Sequence, residues 1–160
     1  MATEKLKFRL ELHATMWDKP PVAEILIGDK SYFKGDITTT EDKPTLIEFE
    51  HEFEEGKDHR LVIKRSGKGK NQTVVNDKGD LLKDQLLKIK SIEIDEIDIG
   101  ALVYEGTYTP DYPEPWATQQ RESGVELPES FKNVTKMGHN GVWQFTFQSP
   151  FYMWLLENLY

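Results

Sequence analysis

Four histidines, His13, His51, His59 and His139, are the side chains of this 160-residue sequence best suited to proton transfer or metal ligation near neutral pH. None belongs to a pair such as H-E-x-x-H, which would turn two imidazoles toward one ion, so each is read as a hydrogen-bonded structural histidine. No G-x-S-x-G elbow exposes a serine nucleophile. The absence of cysteine removes thiolate catalysis, disulfides and Cys-ligated zinc together. Acids are so numerous, 28 against 20 basic residues, that spacing selects no carboxylate pair for glycoside hydrolysis. An enzyme is therefore the weaker class, and no catalytic residue is assigned.

Recognition by aromatic rings suits the residues better. Trp17 in "WDKPP" and Tyr112 and Trp116 in "TPDYPEPWATQQ" stand among prolines and charges, where exposure for stacking and burial in a core are both open to the two tryptophans. Rings offer flat apolar faces to sugar C–H groups and large contact area to proteins. Trp17, Tyr112 and Trp116 are accordingly the candidate ligand-binding residues, while Trp143 and Trp154 lie in patterns that predict burial. The net charge of −8 opposes binding to phosphate backbones. The basic stretch "KRSGKGKNQ" lacks the order of a phosphate-cradling loop and reads as a solvated hairpin tip.

The elements that must carry these residues are strands. In "KLKFRLELHA", Leu6, Phe8, Leu10 and Leu12 alternate with polar residues, the period of a half-buried strand. "VAEILIGDKSYFKGDI" predicts a hairpin around Gly28-Asp29, and "TLIEFEHEFEEGKDHRLVIKR" predicts another around Glu55-Gly56. Strands recur every 8 to 12 residues or so, the rhythm of a β-sandwich or jelly roll. In "DLLKDQLLKIKSIEIDEIDIG" the apolar parity switches after Ile89 and again after Ile94, each switch predicting a bulge or bend. Glu93, Asp95 and Asp98 then line the solvent face of a strand whose isoleucines face the core. Past residue 100, a proline-rich irregular connection leads to a turn at Asn140-Gly141 and a strand from Val142 to Phe147. "SPFYMWLLENLY" predicts a helix with Ser149 as N-cap and Pro150 at its first position, and with Phe151, Trp154, Leu155, Leu156 and Leu159 as core. Pro115 similarly suits the first position of one helical turn.

"KDQLLKIKSIEIDEIDIG", with "EILIGDKSYFKGDI" and "FEEGKDHRLVI" before it, resembles the strands of non-catalytic carbohydrate-binding β-sandwiches, notably calcium-dependent xylan-binding modules. The resemblance covers residues 5 to 100. It implies a possible calcium ligand at Asp84, with Asp80 and Asp77 the nearest acids in the same loop. "NDKGD" lacks the full spacing of a helix-loop-helix calcium loop. "TPDYPEPWATQQ", "KMGHNGVWQF" and "SPFYMWLLENLY" are similar to proteins encoded by tailed phages of marine cyanobacteria, which implies a phage origin and no particular activity.

The expectation is a single domain over residues 1–160, a mainly β antiparallel sandwich of jelly-roll type. Residues 1–100 supply the core strands, and 101–160 supply an aromatic loop, a strand and a short C-terminal helix. Its expected role is a non-catalytic binding module for a glycan or for a phage or host surface. The alternative is a structural or assembly protein of a phage virion acting through protein contacts. Partners are a glycan or protein surface, with a homo-oligomer open and neither nucleic acid nor membrane expected. "MATEKLKFRLEL" has no apolar signal region, so the implied location is host cytoplasm during infection or the virion.

Overall fold

A computed structural model describes residues 2–15, 17, 19–68, 74–75, 77–78, 81–98, 106–112, 114–132 and 134–159, the side chains of 74–75, 81–83, 98 and 159 excepted. In chain order the strands are β1 (Thr3–Thr15), β2 (Val22–Ile27), β3 (Lys30–Asp36), β4 (Thr45–Glu54), β5 (Asp58–Ser66), β6 (Val74–Val75), β7 (Leu81–Lys83), β8 (Leu86–Ile94), β9 (Ile97–Asp98), β10 (Thr107–Pro110), β11 (Phe131–Lys132), β12 (Lys136–Met137) and β13 (Gly141–Gln148). Two helices, α1 (Trp116–Glu122) and α2 (Phe151–Leu159), complete the described elements.

The strands form two antiparallel sheets, β12-β8-β1-β4 with β9 beside β8, and β11-β10-β13-β5-β2-β3, plus a β6-β7 ribbon. Alternation makes this a sandwich. Leu6, Phe8, Leu10 and Leu12 of β1 and Leu61 and Ile63 of β5 point into one buried cluster with Phe145 and Phe147 of β13. The Phe147 ring meets Phe53 edge-on at 5.3 Å and Phe8 at 6.3 Å, closing the gap between the sheets. Trp143 is fully buried and Trp154 partly so. Because β13 lies between β10 and β5, the last third of the chain supplies an inner strand of the second sheet.

Both parity switches have a cause. Glu11 faces Ser91 while Leu12 faces Ile89, so Lys90 is the extra residue of a bulge that brings both Leu87 and Ile89 and, beyond it, Ile92 and Ile94 inward. The second switch is a two-residue turn rather than a bulge. Asp95 and Glu96 take φ of +52° and +67°, and Ile94 pairs with Ile97. The Asp95 carboxylate accepts a bond from the Lys7 amide at 2.8 Å. Glu93 lies 3.9 Å from Arg9 on the outer face; the Asp98 side chain lies outside the described residues.

The helix starts differ from expectation in one shared way: a carboxylate caps each. Pro115 and Pro150 precede the first helical residues instead of occupying them. Ser149 donates its hydroxyl to Glu4 at 2.5 Å, and the same Glu4 carboxylate, from the other end of the chain, accepts from the Phe151 amide at 3.0 Å. Glu114 accepts from the amide and hydroxyl of Thr118. On α2, Phe151 and Leu155 are buried, but Leu156, expected in the core, is 60% exposed beside Tyr152 and Met153; the Leu159 side chain lies outside the described residues.

Candidate functional site

One end of the sandwich gathers the unusual polar residues. Arg65 shares the parity of Leu61 and Ile63, so β5 turns it between the sheets, where it is 1% exposed. Its guanidinium donates to Asn140 Oδ1 at 2.8 Å and to the Gln85 carbonyl at 2.6 Å. Burial lowers its pKa to about 10, so it is a cation at neutral pH. Asn140 also accepts from the Lys68 amide and donates to the Lys68 carbonyl, both at 3.0 Å. The Asn-Gly pair read as a turn signal is thus a clamp on a neighbouring backbone. Gly141 is required beside it, because a Cβ there would collide with the Thr109 carbonyl and lie 2.8 Å from Pro110 Cα.

Lys68 belongs to the stretch expected to be a solvated tip, yet its side chain is only 12% exposed. Its ammonium donates to Asp84 at 3.0 Å and to the Gly138 carbonyl at 2.5 Å. Asp84 Oδ1 also accepts from the Gln85 amide at 2.8 Å. Gln85 in turn donates to the Lys19 carbonyl at 2.8 Å, joining the β1–β2 connection to the network.

Above this network lies a patch of rings. Tyr108, whose pKa burial pushes up to about 12, donates to the His139 carbonyl and accepts from the His139 amide, fixing the β12–β13 connection. The His139 ring stands 5.2 Å from Tyr112 and 5.4 Å from Trp116, and Tyr112 and Trp116 are 6.2 Å apart. Burial, reinforced by the Lys68 charge, holds the His139 pKa below its ordinary value, which favours the neutral ring. Tyr112 is anchored by donating to the Pro128 carbonyl at 2.6 Å, and Trp116 opens α1 at 37% exposure. Two of the three expected aromatic residues therefore meet, with His139 as a third ring.

Trp17 takes another route to the same end. It is 39% exposed in a one-residue bridge with Lys19, whose carbonyl Gln85 holds. The other histidines sit apart: His51 pairs with the Tyr32 hydroxyl, His59 donates to the Glu54 carbonyl, and His13 is buried on β1.

The acids expected for calcium are only partly described. Asp84 is engaged by an ammonium, Asp77 is exposed in a turn, and Asp80 lies outside the described residues. Among the described residues, no three histidines or acids gather as a metal would need. Arg65, Lys68, Asn140 and His139 do not announce themselves as a group in the sequence. Only Arg65 leaves a trace there, through its parity.

No family model matches the sequence, and no curated protein does. Among solved structures, the carbohydrate-binding module vCBM60 in complex with galactobiose aligns with a TM-score of 0.46 at 10% identity, over 87% of this chain and 96% of that one. A selenomethionine form of vCBM60, from work linking two families of calcium-dependent carbohydrate-binding modules by circular permutation, aligns with a TM-score of 0.50 at 6% identity, over 88% and 89%. At such identity the likeness concerns the fold. The chain is an antiparallel β-sandwich built like that module.

Proposed function

We propose that the chain is a non-catalytic glycan-binding module that stacks sugar rings on Trp116 and Tyr112, with Trp17 as a second contact. The observation that carries this reading is the three-ring patch at one end of the sandwich, its rings 5.2–6.2 Å apart and Trp116 reaching solvent. Rings in fixed positions offer sugar C–H groups an apolar surface without ordering cost at the moment of binding. Asp111 and Glu129 line the depression beside Tyr112 and supply acceptors for sugar hydroxyls. Those acids and the net charge of −8 favour an uncharged glycan over a polyanionic one. The sandwich shared with a carbohydrate-binding module supports the same reading at the level of fold. Native electrophoresis through gels holding uncharged polysaccharides such as xylan, galactan or β-glucan tests it. Retardation in at least one, lost in Trp116→Ala, is expected; unaltered mobility in all of them would overturn the reading.

A further inference from the structure

The geometry points to the Lys68 ammonium as a built-in cation that takes the place a calcium ion would need at Asp84. Four connections converge on this group. Lys68 follows β5, Asp84 and Gln85 join β7 to β8, Gly138 to Asn140 join β12 to β13, and Lys19 is tied in through Gln85. One charge at 3.0 Å from a carboxylate oxygen and 2.5 Å from a carbonyl oxygen supplies what a metal supplies, a positive centre drawing oxygens from separate loops together. Asn140 holds the Lys68 backbone by both its amide and its carbonyl, which fixes the root of the side chain that carries the ammonium. Arg65 adds a second buried cation that reaches the same Asn140 and the Gln85 carbonyl.

The described residues therefore do not fit calcium at this carboxylate. Calcium takes six to eight oxygens. Here the ammonium already uses one Asp84 carboxylate oxygen and the Gly138 carbonyl oxygen, and its charge would repel a divalent ion brought within a few ångströms. A chain with the fold of a calcium-dependent module would, on this account, hold its loops without the metal. Because Gly138 and Asn140 flank His139, the ammonium also positions one of the three rings. The inference stands whether or not that patch binds sugar, since no saccharide enters its test.

Thermal melting of the full chain decides it. The native protein is expected to melt at the same temperature in excess chelator and in millimolar calcium, because a ligand selective for the folded state would raise the melting point. Lys68→Met, which keeps the stem and removes the charge, should melt about 10 °C lower, as loss of one partner of a largely buried pair implies. Lys68→Ala should regain part of its loss with propylammonium chloride but not with tetramethylammonium chloride, which matches ionic strength without donating hydrogen bonds. A native melting point that falls with chelator and rises with calcium, and no longer does so in Asp84→Asn, would overturn the inference. So would Lys68→Met melting like the native chain. Should neither lysine variant fold, the native protein's response to chelator and calcium still separates a built-in cation from a bound one.

Discussion

Asn140 meets the Lys68 backbone as a strand would, accepting from its amide and donating to its carbonyl, and gives its remaining lone pair to Arg65. Removing it orphans a buried cationic donor and two backbone groups at once. Leaving buried polar groups unpaired costs about 1–3 kcal/mol each, although partial relaxation offsets some of it. Asn140→Ala is thus expected to lower unfolding stability by about 2–4 kcal/mol in urea titration, and Asn140→Asp, which retains the acceptor, by less. A change of only a few tenths for Asn140→Ala would show that the clamp contributes nothing. This role was not legible in the sequence, because Asn-Gly is a strong turn signal for local reasons and the clamp joins residues 72 apart. Tyr112 and Trp116 were legible as candidates through their setting. Their meeting with His139 was not, since it depends on how the β12–β13 connection folds over Tyr108.

At the scale of elements, strands were read well wherever one face is buried, as in β1 and β5, because period-two alternation follows from burial itself. The break in β8 could be read too, since a bulge must flip parity. Helix α2 shows the limit: a segment apolar on nearly every side predicts a helix but not which side faces in. Docking turns Phe151 and Leu155 inward and leaves Tyr152, Met153 and Leu156 outside. Phe151→Ala is therefore expected to cost about 3–5 kcal/mol, whereas Leu156→Ala should stay within about 0.5 kcal/mol. Equal losses in urea melts would contradict the docking described. Capping by Glu4 was equally hidden, because its partners lie 145 and 147 residues away. Glu4→Ala should cost about 1 kcal/mol, the usual worth of a cap.

Across the whole molecule, burial holds the pKa values of His13, His51 and His139 below the ordinary 6.5. The unfolded chain then takes up protons near pH 6.5 that the folded chain refuses. Stability contributed by these groups is complete above that value, falls as pH drops through it, and levels off once the folded histidines protonate as well. Urea midpoints should be lower at about pH 5.5 than at about pH 7.5, and a flat profile would mean the histidines titrate alike in both states. The sandwich class was legible from strand spacing, but the order of strands was not, because sheet neighbours such as β5 and β13 are far apart in sequence. That long-range pairing brings Arg65 beside Gly141 and Asn140, and so places the polar network under the ring patch. The most direct test of a glycan site at that patch is calorimetric titration of a retarding oligosaccharide into the native chain and into Trp116→Ala, with melting points recorded for both. Heat of binding in the native chain, and at least a tenfold loss of affinity in a variant that still melts cooperatively, are expected from removal of a stacking ring worth about 1.4 kcal/mol or more. Unchanged affinity in Trp116→Ala would contradict the assignment of the site.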